Sequence, residues 1–455
     1  MEGRKGYKFL NWARTYSCTP LLYFEPSTLQ EIQELLGRAK RERKHVKVAG
    51  CGHSPSDIAC TTDYMISLRK FNRVLEVDTQ RMTVKVEAGI SLAELNNLLP
   101  KHGLALSNLG SVDGISLGGA MATATHGTGG EYGVVSTHVL SLDLLVASGE
   151  VLHCSRTSNT DVFLASLCGL GSLGVVVSAT VQCEAAFKLH QQQMVTTLDK
   201  VLENLEEHIS ACDHFRFCWY PHTDNVIYWY CNRTKRPVKK EGSWFWNYGV
   251  GYYSLEFMYW LSSFWSGLVP FINHTYYKLV YGVPAETVAR SDKVFGFECL
   301  FKQYVMEWAI PRAETAKALN ELKRWIEINK FPAHFPVEVR FVKKDDIWLS
   351  PAHGRDSCYI NIVMYRPYGK LISHADYWAA FQKIVTAVGG RPHWAKDHTL
   401  GRDQLQELYP KFKEFAALRK KLDPTDMFMN DYLRQVFEMQ SDEAAGRRTF
   451  AEVTV

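Results

Sequence analysis

The sequence predicts an α+β protein of two domains, and three observations carry that prediction. Over residues 18–186 short strand-like runs alternate with helices opened by capping boxes. From about residue 190 the texture changes to strand-like segments separated by long helical stretches. That texture predicts a mostly antiparallel sheet covered by helices over 187–440, followed by a tail at 441–455. No repeat of about 20–50 residues is visible, which excludes a solenoid or propeller.

The elements follow in order. Thr28-Leu29-Gln30-Glu31 is a capping-box pattern just after Pro26 and opens a helix to about Lys40. His45 to Ala49 reads as a short buried strand running into Gly50-Cys51-Gly52. Val84, Val86 and Ala88 alternate along a half-buried strand. Ser91-Leu92-Ala93-Glu94 is a second capping box, with Leu92, Leu95, Leu98 and Leu99 as the apolar stripe behind it. Leu142 to Ala147, the Ser148-Gly149 turn and Val151 to Cys154 read as a hairpin, and Leu173 to Val181 is a further β-rich run. In the second domain strands are expected at Phe215–Tyr220, Val226–Cys231, Phe295–Phe301, Val337–Val342 and Tyr359–Tyr365. A helix is expected to start at Pro311, burying Ala318, Leu322, Trp325 and Ile326.

Composition excludes several function classes. A chain of 455 residues, 46% hydrophobic, builds real cores and is not disordered. With 52 Lys+Arg against 48 Asp+Glu the net charge of +4 is too small for a nucleic-acid surface. The 11 cysteines are dispersed, with no Cys-x-x-Cys and no zinc-ligand spacing, so they read as reduced thiols and no metal is expected. The opening MEGRKGYKFLNWART has no apolar core of signal-peptide length, so cleaved-signal secretion is not expected.

The aromatic residues are unevenly spread. Of 57 in the chain, 14 lie in Gly242–Tyr277, where Glu256 is the one formal charge. Such density suits a membrane–water interface. Residues 257–277 are long enough to span a bilayer, but Ser262, Ser263, Ser266, Pro270, Asn273 and His274 make a poor spanning helix. Membrane contact, an internal helical layer and a true span are the three readings of this 242–277 insertion. Asn232-Arg233-Thr234 and Asn273-His274-Thr275 also match the glycosylation pattern.

Three glycine-rich segments carry chemistry. The first is Ala49-Gly50-Cys51-Gly52-His53-Ser54-Pro55-Ser56, directly after a strand. The second runs from Asn108-Leu109-Gly110-Ser111 through Ser116-Leu117-Gly118-Gly119 to Thr123-Ala124-Thr125-His126-Gly127. The third is Gly169-Leu170-Gly171-Ser172-Leu173-Gly174-Val175-Val176. Small residues there let backbone N–H groups approach a phosphate closely. Neither a Walker A loop nor a Rossmann glycine fingerprint is present, and any one segment alone reads as a tight turn. In Pro336-Val337-Glu338-Val339-Arg340-Phe341-Val342, alternation projects Glu338 and Arg340 from one face, about 7 Å apart. A surface ion pair and a site for a polyhydroxylated ligand both account for that pattern.

In order and spacing, seven motifs resemble flavoproteins of the vanillyl-alcohol-oxidase type, and among them the sugar-1,4-lactone oxidases. They are VKVAGCGHSPSD, HGLALSNLGSV, THGTG, PVEVRF, MYRPYGK, GGRPHWAK and LDPTDMFMNDYL, and they cover nearly the whole chain. The resemblance implies that residues 18–186 form a PCMH-type FAD-binding domain and residues 187–440 a substrate-binding cap built on an antiparallel sheet. It places Ala49, Gly50, Cys51, Gly52, His53 and Ser54 on FAD, with His53 joined covalently to the flavin 8α-methyl group. It adds Gly110, Ser111, Ser116, Gly119, Thr123, Ala124, Thr125 and His126, and backbone contacts from Gly174, Val175 and Val176. The similar plant galactonolactone dehydrogenases carry Ala where this chain has Gly110, so the missing methyl opens a path for O2.

The same resemblance assigns Glu338, Arg340 and Lys396 to catalysis, and Ser111, Glu338, Arg340, Asn361 and Lys396 to the substrate. Lys396 either moves the hydroxyl proton or serves as a fixed positive charge. Asn361 stands where alditol-oxidising relatives carry His, which favours a lactone over a polyol. The implied reaction is oxidation of an L-aldono-1,4-lactone such as L-gulono-1,4-lactone at C2, giving L-ascorbate, with O2 reduced to hydrogen peroxide. A lactone dehydrogenase with a cytochrome or quinone acceptor and an alditol oxidase are the alternatives. The implied location is the endoplasmic reticulum membrane, and the aromatic stretch is the candidate contact surface.

Overall fold

The computed structural model describes residues 1–239, 251–296 and 301–439. Strand β1 (Leu22–Phe24) leads into α1 (Leu29–Glu42). Thr28 Oγ1 accepts from the Glu31 N–H at 3.2 Å while the Glu31 carboxylate accepts from the Thr28 N–H at 3.1 Å, the reciprocal bonds that start α1 where the sequence places it. β2 (Val46–Ala49) and β1 pair in parallel on either side of β3 (Tyr64–Ser67). The apolar side of α1, Ile32, Leu35, Leu36 and Ala39, packs on this small sheet.

A five-stranded antiparallel sheet follows from β4 (Val74–Asp78), β5 (Thr83–Glu87), β6 (Val139–Leu145), β7 (Val151–Ser155) and β8 (Val175–Gln182), in the order β7-β6-β8-β5-β4. The expected β6–β7 hairpin pairs Leu145 with Val151. α2 (Leu92–Leu98) and α3 (Leu117–Ala122) lie between β5 and β6. Ser91 and Glu94 close the second capping box.

The eight-stranded sheet is antiparallel throughout. Its strands are β9 (Lys188–Thr197), β10 (His214–Trp219), β11 (Asn225–Thr234), β12 (Ala285–Arg290), β13 (Gln303–Pro311), β14 (Val337–Val342), β15 (Ser357–Tyr365) and β16 (Arg391–Pro392). They run in the order β12-β9-β11-β10-β14-β15-β13-β16. Two expectations fail here. Of the strand expected over Phe295–Phe301, Phe295 instead ends a short helix, Ser291–Phe295, residues 297–300 lie outside the described residues, and a strand that was not expected, β13, follows. β13 is buried along both faces, so it shows no alternation to read. Pro311 is the last residue of that strand, at a position where its missing N–H is tolerated. A short turn, Arg312–Glu314, separates it from the helix, which begins at Thr315 and buries Ala318, Leu322 and Ile326 but only half of Trp325.

Of the aromatic stretch, residues 242–250 lie outside the described residues. The rest forms a helical hairpin, α4 (Leu255–Ser262) and α5 (Leu268–Tyr276). At 1.5 Å per residue each is about 12–14 Å long, and no helix among the described residues is long and apolar enough to cross a membrane. Its inner face, with Leu255, Tyr259, Val269 and Ile272, packs on Tyr220 and Phe335 of the sheet domain. Its outer face leaves Phe257, Phe264, Trp265 and Phe271 exposed, Trp265 by 68%. Asn273 is fully buried, donating to the Pro221 and Ala333 carbonyls and accepting from Tyr259, so that glycosylation pattern is closed by packing.

The chain then returns to its beginning. Asp423 accepts from the Met427 and Phe428 N–H groups and sets a turn that places both side chains in the core under β2 and β3. The Val46 N–H donates to the Met427 carbonyl at 2.7 Å, and Asn430 donates to the Ile58 and Cys60 carbonyls. The ten described cysteines are all free.

Candidate active site

One cavity of ≈ 710 Å³ runs between the glycine-rich loops and the eight-stranded sheet. Its loop wall starts where β2 ends. Ala49, Gly50, Cys51, Gly52, His53 and Ser54 all line it, as do Gly110, Ser111, Ser116, Gly119, Thr123, Thr125 and His126. A Cβ on Gly50 would stand 2.0 Å from Ser116 Oγ, so the first and second loops touch only because residue 50 has no side chain. Ser116 Oγ in turn accepts from the Gly119 N–H at 3.3 Å and caps α3.

Four sequence-assigned residues lie elsewhere. Ala124 is buried behind the wall. Gly174, Val175 and Val176 do not line the cavity, because the chain there has already entered β8 between β6 and β5. The third loop reaches the cavity through Leu170 and Gly171 instead. Gly110 does not have a left-handed backbone, so no turn demands glycine there. A methyl at this place would stand 3.2 Å from the His126 carbonyl oxygen and from Thr125 Cγ2.

His53 faces the cavity with its ring nearly parallel to that of Trp12, 6.1 Å away. Burial, helped by Lys302 and Arg69, pushes its pKa down and favours the neutral imidazole. Lys47, which the sequence reading passed over, also lines the cavity. It is fully buried, donates to the Leu170 carbonyl at 3.1 Å, and burial pushes its ammonium down to about 7 against the pull of Asp57. Its one signal was a lysine inside an otherwise apolar strand.

The other wall is made by strand register. β10, β14, β15 and β13 lie side by side, pairing Cys218 with Glu338, Glu338 with Asn361 and Asn361 with Glu307. Arg216 faces Arg340 in the adjoining row. Residues opposite one another in register share a face, so Arg216, Glu307, Glu338, Arg340 and Asn361 project together into the cavity. Val337, Val339 and Phe341 fill the core behind them. Arg340 donates to Glu338 at 2.6 Å and to Ser111 Oγ of the loop wall, and Arg216 stands 3.6 Å from Glu338. Burial opposes the Arg340 charge, but Glu338 and Glu307 outweigh it and raise its pKa. The pair is therefore buried between the two walls and not a surface ion pair.

Lys396 enters from the loop after β16, its Nζ 3.8 Å from Glu307 Oε2. In the same loop Trp394 is fully buried and donates to the Leu349 carbonyl at 2.6 Å, which fixes the backbone on either side. Glu307 and His393 were not singled out from the sequence. His126, Glu307 and His393 bring their ligand-type atoms within 4.8 Å of one another. Hydrogen bonding argues against a metal there: His393 Nδ1 accepts from the Ala395 N–H at 3.1 Å, which uses the lone pair of its neutral ring. Burial pushes His393 down to about 3, so that ring is neutral.

The residues present fit FAD. The Gly50–Gly52 crest admits close approach to backbone N–H groups, and Ser56 Oγ is buried beside it with no hydrogen-bond partner among the described residues. On the opposite wall Asn361 Oδ1 is also without a hydrogen-bond partner among the described residues.

Comparison with known proteins agrees. A model of an FAD-binding domain matches residues 20–155, and one described as D-arabinono-1,4-lactone oxidase matches residues 179–436. The L-gulonolactone oxidase of Scyliorhinus torazame is 52% identical over 96% of this chain and 99% of that protein. The Bos taurus L-gulonolactone oxidase is 50% identical over 96% and 100%. Among solved structures, cholesterol oxidase from Brevibacterium sterolicum superposes with a TM-score of 0.79 at 17% identity, covering 94% of this chain and 96% of that one, and so shares the fold. The identity over 96% of this chain and nearly the whole of each relative shows that the chain belongs to the FAD-dependent sugar-1,4-lactone oxidases.

Proposed function

We propose that the protein oxidises L-gulono-1,4-lactone at C2, giving a 2-keto lactone that tautomerises to L-ascorbate, with O2 reduced to hydrogen peroxide. The observation that carries this reading is the row of charged and amide side chains set in register opposite the glycine-rich loops. FAD, when bound, supplies the two-electron acceptor and hands the electrons on to O2. The remaining work falls to the chain. Arg340 donates to lactone hydroxyl or carbonyl oxygens, and Glu338 accepts from hydroxyls. Asn361 adds an acceptor that has no partner among the described residues, and Ser111 ties Arg340 to the loop wall. Lys396 lies on the same side and bears on the C2 hydroxyl proton. An uncharged, hydroxyl-rich substrate suits a wall whose charges are already paired.

The neutral ring of His53 carries a nucleophilic nitrogen, which supports a covalent bond to the flavin 8α-methyl group. Flavin fluorescence that stays with the denatured polypeptide tests this, and complete release of flavin by acid would refute it. The exposed Phe257, Phe264, Trp265 and Phe271 support contact with a membrane surface, the endoplasmic reticulum in the proposed cellular setting. Replacing Phe264 and Trp265 by Ser should release the protein from vesicles. The reaction is tested by anaerobic bleaching of the flavin with a panel of aldonolactones and alditols, followed by peroxide measurement in air. Xylitol bleaching the flavin faster than L-gulono-1,4-lactone would overturn the lactone assignment, and bleaching without peroxide in air would overturn the oxidase assignment.

A further inference from the structure

The hydrogen bonds around Glu307 define where a buried proton sits. His126 Nδ1 is 2.9 Å from the Gly127 carbonyl oxygen, which only accepts, so Nδ1 carries a hydrogen. His126 Nε2 is 3.0 Å from Glu307 Oε1. That contact also needs a hydrogen, either on Nε2 of a doubly protonated ring or on the acid form of Glu307. Burial would push the Glu307 carboxyl up, but His126 and Lys396 outweigh it and hold it well below the usual carboxylate range. The contact holds one buried hydrogen between the ring and the carboxyl group. His126 is further fixed by stacking on Tyr359, with ring centres 3.7 Å apart.

The second carboxylate oxygen has a different task. Glu307 Oε2 faces Lys396 Nζ at 3.8 Å. The groups packed around this carboxylate are His126 from the second glycine-rich loop, His393 and Lys396 from the loop after β16, and Asn361 and Arg340 from the neighbouring strands. The His393 ring accepts from the Ala395 N–H and is neutral by that bond.

We propose that Glu307 is a positioning residue for substrate oxidation, holding His126 on the flavin side with one oxygen and Lys396 on the substrate side with the other. The inference rests on the lactone-oxidase reading of the cavity. It assigns Lys396 a fixed place beside Glu338 and Arg340, and it makes the flavin loop and the substrate wall one electrostatic unit. Glu307 itself transfers nothing.

The test uses the holoenzyme with Glu307→Gln, which keeps the shape and loses the charge, and Glu307→Asp, which keeps the charge. Glu307→Gln should retain FAD but slow anaerobic bleaching by L-gulono-1,4-lactone by about 30-fold, with KM changed by less than about threefold. Its pH–rate profile should be displaced, and Glu307→Asp should recover most of the rate. Combined with Lys396→Met, the Glu307→Gln loss should shrink to about threefold or less, because the two act through one contact. Independently of turnover, the ring ¹⁵N signals of His126 should move in Glu307→Gln and stay closer to the wild type in Glu307→Asp. Wild-type bleaching rates in Glu307→Gln, losses that multiply fully with Lys396→Met, or His126 ¹⁵N signals unmoved in Glu307→Gln would each overturn the proposal. If Glu307→Gln gives no folded holoenzyme, Glu307→Asp decides, since any loss of rate there that multiplies fully with Lys396→Met would overturn it. A wild-type flavin that no aldonolactone bleaches counts against the lactone reading, and the ¹⁵N comparison then decides on Glu307.

Discussion

The two walls of the cavity are built from opposite materials. The loop wall works through atoms that are missing: small residues after β2 and around α3 let two backbones meet, as the 2.0 Å gap at Gly50 requires. The sheet wall works through long side chains whose positions come from register, with Glu338, Asn361 and Glu307 on three adjacent strands. The loop wall is therefore sensitive to added atoms, and the sheet wall to removed charges. Binding of the cofactor and turnover of the substrate should fail separately.

That separation can be broken at four places. The largest effect is expected at Arg340→Ala, which leaves Glu338 buried with Arg216 as its remaining counter-charge. Flavin bleaching by lactone should slow by about 10³-fold, about 4 kcal/mol, with FAD content unchanged. Loss of FAD in parallel would show that the walls are not independent. Next comes Lys47, the charged exception on the loop wall. Between about pH 7 and its ordinary 10.5, the unfolded chain holds a proton that the folded, flavin-free chain does not. Stability of the flavin-free protein should therefore climb with pH through that window, by a few kcal/mol, and Lys47→Met should abolish the climb. Urea midpoints of both proteins measured across the window check this, and parallel curves would refute it.

Gly50→Ala should weaken FAD binding by about 2 kcal/mol through overpacking against Ser116, read as flavin absorbance per chain, while any loaded fraction turns over normally. The smallest effect belongs to Gly110→Ala. Its neighbours need give only a few tenths of an ångström, so FAD loading and anaerobic bleaching should hold while reoxidation by O2 slows by about tenfold, about 1.4 kcal/mol. Equal reoxidation rates would show that oxygen reaches the flavin by another route.

The same contrast explains what the sequence made legible. The loop wall is local, so the capping boxes at Thr28 and Ser91 and the run Ala49–Ser54 could be read within a few residues. The alternation of Val337–Val342 also foretold that Glu338 and Arg340 share a face. Their partners were not legible. Glu307 joins them through strands that are close in the sheet and distant in the chain, and no short window contains that pairing. β13 hid itself further because both its faces are buried, which also displaced the expected strand to Phe295–Phe301. Pro311 was misread because proline is favoured in the first turn of a helix, whereas here it ends the strand that precedes the helix. Gly174 to Val176 matched a motif, yet the backbone is already inside the sheet there, and only the turn before it meets the cavity.

The return of residues 423–437 to the first sheets has a consequence for biosynthesis. β2, which leads into the His53 loop, takes one of its backbone bonds from Met427, and the loop after it is held by Asn430. A ribosome emits these partners only after almost the whole sheet domain has been made. The amino-terminal half then cannot reach its final form as it emerges, contrary to the usual domain-by-domain order. Flavin capture becomes a late event in the life of the nascent chain, and a premature stop near residue 420 should yield protein without colour.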